Sequence, residues 1–337
     1  MADVLTAGEL LIDFTPVSIP GYPALLSPNP GGAPANVAVQ LARLGISAGF
    51  IGKVGQDDFG RTLRRCLEEN GVSIRNLILD EQFHTTLAFV QLDEHGDRSF
   101  TFYRNPGADT QLRQDEVDFE EVRQCRIFHF GSLSFTTEPS RSTILELIKA
   151  VKSMGKLISY DPNWRPLLWP SHQEGVEAMK MGLEYCDLLK ISQEELELLT
   201  GCSNIWDGIR KVQEKGVILV VVTLGPDGCV FSCGGKTGHV PTYDTCVVDT
   251  TGSGDSFWGA FLSQLKQSEC FDRNSLQGLS AAQLRQFCQF ANAAGSVCAS
   301  HAGGIPALPD EDHIRKCMEE TAVLPPKQQF LSGCEKI

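Results

Sequence analysis

Between Asp249 and Leu265 the chain reads DTTGSGDSFWGAFLSQL. Gly252 and Gly254 bracket a turn, Asp249 and Asp255 bring two carboxylates to it, and Phe257, Trp258, Phe261, Leu262 and Leu265 then fall on one helical stripe. The preceding CVV, Cys246–Val248, reads as a short apolar strand leading into the turn. The glycines are thereby placed at a helix N-terminus, where the first backbone N–H groups have no intrahelical partner and the dipole is positive. Such a place suits an anion such as phosphate, and residues without a Cβ let it approach the backbone closely. A carboxylate in the same turn repels phosphate, so Asp255 needs a reason. Two readings stay open: an acid that caps or complements the helix dipole, or a general base that takes a hydroxyl proton as that oxygen attacks phosphorus.

Two familiar phosphate motifs fail. GGKTG at Gly234–Gly238 resembles the end of a P-loop, but the earlier glycine that motif requires falls on Val230; the stretch reads as a hairpin tip. GSGDSF fails as a dinucleotide fingerprint because Phe257 takes the last glycine position.

The elements that must hold this turn alternate. AGFIGKVG (Ala48–Gly55), RIFHFGSL (Arg126–Leu133), KLISYDPN (Lys156–Asn163), DLLKIS (Asp187–Ser192) and VILVVVTLG (Val217–Gly225) read as strands separated by helix-like stretches, which implies a parallel sheet covered by helices. The start of the chain, MADVLTAGELLIDF, reads as a first strand ending at Asp13. One region breaks the rhythm. TTLAFVQLDEHGDRSFTFYRN (Thr85–Asn105) alternates in polarity on either side of DEHGD, as an antiparallel hairpin does, and with the Pro/Gly-rich stretch Thr15–Gly32 it reads as a small lid. The tail after about Pro309 is weakly patterned.

Composition narrows the function. With 29 basic and 42 acidic residues the net charge is -13, which argues against a broad nucleic-acid footprint, so any anion is held locally. Twelve cysteines form no CxxC pair and read as reduced thiols. The longest clean apolar run, Val217–Val222, is far short of the roughly 20 residues of a membrane helix, and the N-terminus lacks a basic n-region; a cytoplasmic protein without membrane or nucleic-acid partners is expected.

NPGGAPANVAVQLARLG (Asn29–Gly45) and DTTGSGDSF (Asp249–Phe257), in this order and separation, resemble the amino- and carboxy-terminal signatures of the ribokinase-like (phosphofructokinase B-type) carbohydrate kinase family. The resemblance spans about residues 4–309. FYRNPGAD (Phe102–Asp109), DPNWRPLLW (Asp161–Trp169) and KISQEELELLTG (Lys190–Gly201) look most like the fructokinases of that family. The resemblance implies a Rossmann-like α/β/α sandwich over residues 1–320, lid segments at about 13–30 and 84–108, and a tail at 321–337. It further implies ATP and Mg²⁺ use, with phosphorylation of a sugar's primary hydroxyl, for a fructokinase the 6-hydroxyl of D-fructose. Kinases of 2-keto-3-deoxygluconate, ribose or a riboside, and a non-catalytic sugar- or nucleotide-binding regulator on the same fold, remain as alternatives.

Carried over residue by residue, the family makes Asp255 the base and the backbone amides of Gly252, Ser253, Gly254 and Asp255 the anion hole. Ser253, where many relatives have Ala, could add a hydroxyl contact. Asp13 would accept hydrogen bonds from sugar hydroxyls, against the plainer reading of a strand-end turn Asp. Gly31, Gly32 and Asn36 would meet the polyol, or form a tight turn capped by Asn36. Arg104 could fork onto substrate oxygens from the lid, or be a solvated strand Arg. Asn163 and Arg165 follow a buried strand at its carboxyl end, where α/β proteins place ligands; Asn163 would face ATP phosphates or the metal's waters and Arg165 the sugar or phosphoryl group, ordinary turn chemistry being the alternative. Thr223, Gly225, Gly228 and Asn292 would flank adenine, although helix packing explains the small residues near Asn292 as well. The family's NxxE motif maps onto Ser192–Glu195, so its Asn is missing while Glu195 matches the acid that binds Mg²⁺ through water. Asp249 and Thr251 could hold K⁺, as in some relatives. Relatives often pair through their lids, and this flap is long enough to form such a homodimer.

Overall fold

The computed structural model describes residues 2–17, 25–92, 98–327 and 330. The DEHGD turn and part of the Pro/Gly-rich flap lie outside the described residues. The strands are β1 (Val4–Ala7), β2 (Leu11–Val17), β3 (Leu25–Gly31), β4 (Ala48–Gly55), β5 (Ser73–Asp80), β6 (Leu87–Leu92), β7 (Arg98–Tyr103), β8 (Ile127–Gly131), β9 (Leu157–Asp161), β10 (Leu188–Ser192), β11 (Leu219–Thr223), β12 (Cys229–Cys233) and β13 (Lys236–Val240). Nine of them form one sheet in the order β13-β12-β11-β10-β9-β8-β1-β4-β5. From β11 to β5 every pairing is parallel, and the β12–β13 hairpin adds two antiparallel strands at one edge.

Successive residues of the central strands serve opposite faces, as the period of two demands. Leu188, Leu219 and Val221 join one core with Val37, Leu41, Trp258, Phe261, Phe287 and Ala291 from the helices Ala33–Arg43, Ser253–Gln267 and Ala281–Ala299. Leu189, Val220 and Val222 join the other with Ile144, Met179, Leu196 and Ile209 from the helices Ser140–Ser153, His172–Leu183, Gln193–Thr200 and Ile205–Gln213. Helices thus cover both faces of a buried sheet. A second, four-stranded sheet of order β3-β2-β6-β7 stands apart from it; β2 pairs antiparallel with β3 and parallel with β6, and β6 pairs antiparallel with β7.

Three local expectations need correction. The N-terminal stretch is two strands, not one: Gly8 at φ 151 breaks it, β1 enters the large sheet and β2 the small one. A Cβ on Gly8 would sit 2.7 Å from Pro34 Cγ, so a side chain there would collide with the start of helix Ala33–Arg43. Asp13 accordingly lies within β2 rather than after a strand. Cys246–Val248 is loop, with Val247 and Val248 62% and 60% exposed, and the amides of Val248 and Asp249 both donate to Ala299 O. The segment after Pro309 contains a further helix, Glu311–Glu320, capped by Asp310 and burying only Ile314 and Cys317, a stripe too sparse to read.

Candidate active site

The parallel strands end along one edge of the sheet, and there the chain leaves a cavity of ≈ 290 Å³, near the ~300 Å³ lower bound of ordinary ligand pockets. Residues distant in sequence meet in it: Asp13 from β2, Gly32 and Asn36 at the start of helix Ala33–Arg43, Asn163 and Arg165 after β9, Lys190 from β10, and Thr251, Gly252, Gly254 and Asp255 from the glycine turn. Phe102 of β7 closes it from the small sheet.

The turn ends with Gly252 at φ 77, the left-handed region that glycine enters without steric penalty, and the helix Ser253–Gln267 begins with no side-chain cap. Of the first-turn amides, Ser253 N–H donates to Thr250 O and Ser256 N–H to Gly252 O. Those of Gly254 and Asp255 have no acceptor among the described residues. Asp255 does not cap its own helix. Its carboxylate accepts from Asn36 Nδ2 at 2.7 Å, and both residues are buried. Burial raises the Asp255 carboxyl above its ordinary value, while the positive charges of Lys190 and Arg165 and the Asn36 bond hold it down. A carboxylate of raised basicity beside unpartnered amides is equipped to take a proton next to an anion.

Asp13 of β2 is buried and its carboxyl is pushed up to about 7 by desolvation, with Arg165 opposing and Asp255 and Asp249 reinforcing. A Cβ on Gly31 would overlap Asp13 Oδ2, so the absent side chain lets the carboxylate sit against the backbone. Glu9, which the sequence reading passed over, also lines the cavity; Oε1 accepts from Ala33 N–H at 3.0 Å, and burial pushes the carboxyl up to about 7. Glu9 Oε2, Asn36 Oδ1 and Asp161 Oδ1 are buried without a hydrogen-bond partner. Unpaired buried polar atoms cost roughly 1–3 kcal/mol each, and their collection in and behind one cavity marks it as a place built for a polar ligand.

Asn163 adopts φ 54, a left-handed conformation uncommon outside glycine, and lines the cavity. Its loop is pinned by Glu195, whose Oε1 accepts from Trp164 N–H at 2.6 Å. Glu195 Oε2 accepts from Ser192 N–H at 2.9 Å while Ser192 Oγ accepts from Glu195 N–H at 3.2 Å. This is a capping box, in which Ser192 starts the helix Gln193–Thr200 and fixes the Glu195 carboxylate.

Several expected site residues stand outside the cavity. Arg104 is claimed by the buried Asp109, with further donations to Thr136 Oγ1 at 2.8 Å and Leu133 O at 3.1 Å, so it braces the small sheet instead of reaching over the cavity. Ser253 turns its hydroxyl away to Gly295 O at 2.9 Å. Thr223 and Gly225 lie at the end of β11 and just beyond. Gly228 and Asn292 come together at the end of β13. A Cβ on Gly228 would overlap Val240 O, and the Asn292 amide donates to Val240 O at 3.0 Å and Pro241 O at 3.1 Å. The Asn292 nitrogen is thus spent on the backbone. Asp249 stitches its loop shut, accepting from Thr251 N–H at 2.8 Å and Gly303 N–H at 3.0 Å.

Lys190 is the second residue the sequence reading missed: its ammonium is buried, 2.8 Å from Asp161 Oδ2, and lines the cavity. A lysine inside an apolar strand flanked by β9 and β11 was the available signal, since an unpaired buried ammonium is not tolerated.

Among known proteins, the pfkB family carbohydrate kinase profile matches residues 1–311. Fructokinase-1 of Oryza sativa subsp. japonica is 43% identical over 321 residues, covering 94% of this chain and 97% of the relative. A fructokinase from Xylella fastidiosa, solved with bound ATP, superposes with a TM-score of 0.87 at 30% identity, covering 95% of this chain and 99% of that one. A fructokinase from Vibrio cholerae O395, solved with fructose, ADP and calcium ion, gives 0.84 at 33% identity over 94% of this chain and 99% of that one. This chain belongs to the pfkB family of carbohydrate kinases.

Proposed function

We propose that the protein is an ATP-dependent fructokinase that transfers the γ-phosphoryl group of ATP to the 6-hydroxyl of D-fructose. The observation that carries this reading is Asp255, buried beside the two unpartnered amides of its own first turn and facing a polar cavity that Asp13 shares. Its relatives at about two-fifths identity over nearly the whole chain are fructokinases.

The sugar enters with its hydroxyls toward Asp13, Asn36 and Arg165, whose carboxylate, carboxamide and guanidinium can hold both donors and acceptors. That contact aims the 6-hydroxyl at Asp255, which takes its proton as the oxygen attacks the γ-phosphorus. The amides at the helix N-terminus, with the dipole behind them, stabilise the charge on the transferring group. Adenine lies along Thr223–Gly228, against the helix that carries Asn292, with the Asn292 side chain shaping the backbone there.

The protein donors near the phosphate turn are carboxylate and amide oxygens, the hard ligands Mg²⁺ takes while keeping several waters. The buried, unpartnered Asp161 Oδ1 behind the cavity agrees with such an ion. Glu195, and Asn163 in its left-handed loop, would hold Mg²⁺ through water, and the ion would neutralise the phosphate charge of ATP. K⁺ would sit by Asp249 and Thr251. A cytoplasmic setting agrees with eleven cysteines free of disulfides among the described residues. Pairing of two copies through the small sheet is supported by Val17 and Leu26, 40% and 43% exposed on its β2–β3 edge, and by Tyr103 at 66%.

ADP release across a panel of sugars with Mg²⁺, with and without K⁺, tests the reading. Fructose should turn over fastest by kcat/KM. Preference for ribose, a riboside or 2-keto-3-deoxygluconate would move the protein to another branch of the family, and the absence of ADP release with every sugar would overturn the kinase reading.

A further inference from the structure

Lys190 points from β10 into the site between two features that have no other reason to share an ammonium. On one side is Asp161 Oδ2 at 2.8 Å, the terminal residue of β9. On the other is Gly254: a Cβ placed there would stand 2.8 Å from Lys190 Nζ and 3.5 Å from Cε. The ammonium therefore lies directly against the glycine turn, on its cavity side.

If the lysine served only to neutralise Asp161, its remaining donors would be expected to find protein acceptors, because a buried N–H left unmet is costly. Asp161 is its one acceptor among the described residues, so two ammonium hydrogens are left for the cavity. Beside them are the Gly254 and Asp255 amides, also without acceptors. A fixed cation, two orphan amides and a missing side chain converge on one small volume, and together they describe a seat for the outer oxygens of a phosphate.

We infer that Lys190 is a catalytic residue that donates through Nζ to a non-bridging oxygen of the γ-phosphoryl group, with Asp161 as the positioning residue that fixes its direction. The inference rests on the kinase reading above. As the O6–Pγ bond forms, the O6 proton passes to the Asp255 carboxylate. The bond from Pγ to the oxygen bridging the β-phosphate breaks with its electron pair leaving on ADP. Lys190 keeps its proton throughout and stabilises charge without transferring any. Burial alone would weaken the ammonium, but the carboxylates of Asp161, Glu195 and Asp255 reverse that and hold its pKa above the usual lysine value.

The test compares nucleotides that differ only in the γ-phosphoryl group. Lys190→Met should lower kcat by about 10²–10³-fold, the cost of one donor to a transition-state oxyanion. It should weaken the non-hydrolysable analogue AMP-PNP by roughly 10–100-fold and leave the ADP Kd within about twofold, because the charged hydrogen bond is to the γ group alone. Lys190→Arg should recover part of both losses. Because Lys190→Met strands the buried Asp161 charge, the double variant Asp161→Asn/Lys190→Met carries the same comparison if the single variant fails to fold. Equal weakening of ADP and AMP-PNP, or a kcat within about threefold of the parent, overturns the inference. A parent protein that releases no ADP with any sugar defeats the kinase reading instead, and the paired nucleotide titrations still decide the Lys190 contact.

Discussion

Asn36 and Asp255, 219 residues apart in sequence, are joined by a 2.7 Å hydrogen bond from the Asn36 carboxamide to the Asp255 carboxylate. The bond ties the first helix of the chain to the glycine turn and favours the ionised form of the acid. A base must be ionised to act, so the acidic limb of the kcat profile should lie above the ordinary Asp range. Asn36→Leu removes one of the influences holding Asp255 down and should move that limb to higher pH. A limb unmoved in Asn36→Leu would separate Asp255 from proton transfer.

Asp255→Asn should lower kcat by roughly 10²–10⁴-fold with ATP binding kept or improved. The same substitution should also stabilise the fold at neutral pH. A carboxyl whose folded pKa is raised contributes stability below its unfolded value and loses it as pH rises through the folded one, so at neutral pH the ionised Asp255 is a burden that Asn does not carry. Thermal melts of the two proteins should therefore differ most at neutral pH and converge toward pH ~3. Near-parental turnover would remove the base.

How far this was legible in the sequence depends on what each residue leaves behind in local pattern. The glycine turn and its helix were readable because Gly252, Gly254 and the Phe257–Leu265 stripe combine a backbone requirement with a period. The parallel strands were readable because both faces are buried and the runs are continuously apolar. Val247 and Val248 misled because apolar type does not report exposure. The break at Gly8 depends on its approach to Pro34, and the withdrawal of Arg104 depends on Asp109, five residues on but aligned only by the fold. Lys190 escaped for the same reason: its partners, Asp161 and Gly254, come from two other elements.

Asp13→Ala should raise the fructose KM by an amount equivalent to about 2–4 kcal/mol, since charged hydrogen bonds are worth roughly 1.5–3 kcal/mol each and do not add fully. ATP binding measured without sugar should be unchanged. In the parent, the Asp13 carboxyl, pushed up to about 7, gains its proton as pH falls through that value and loses acceptor capacity, so the fructose KM should climb below neutrality. Gly31→Ala should raise the fructose KM in the same direction, because its Cβ would displace Asp13 Oδ2. A nucleotide defect equal to the sugar defect in Asp13→Ala would sink the assignment.

Gly254→Val should damage ATP binding and kcat together. Even the first carbon of the new side chain falls 2.8 Å from Lys190 Nζ, and the branch would fill the volume assigned to phosphoryl oxygens. A folded variant with parental ATP Kd and kcat would show that phosphate binds elsewhere.

Ala322, Leu324, Lys327 and Phe330 pack on the region proposed for adenine, which gives the tail a testable part in nucleotide binding. Asp244 N–H donates to Ala322 O and Leu324 N–H to Thr242 O, both at 2.8 Å, so the segment runs along the loop after β13. Lys327 Nζ pairs with Asp227 Oδ2 at 2.8 Å, and Phe330 stacks on His239 with ring centroids 5.4 Å apart. His239 in turn bonds Asp227 O at 2.7 Å, between Gly225 and Gly228. Truncation after Glu320 removes the backbone contacts, the ion pair and the aromatic cover of that loop at once, while leaving Asp13, Asn36 and Asp255 untouched. The ATP KM should therefore rise several-fold, on the order of 1 kcal/mol of lost loop order, with the fructose KM unchanged. Lys327→Ala alone should do little, because Lys327 is more than half exposed and such a pair is worth about 0–1 kcal/mol. A truncated protein with parental ATP KM, or one whose fructose KM rises in step, would show that the tail does not order the nucleotide loop.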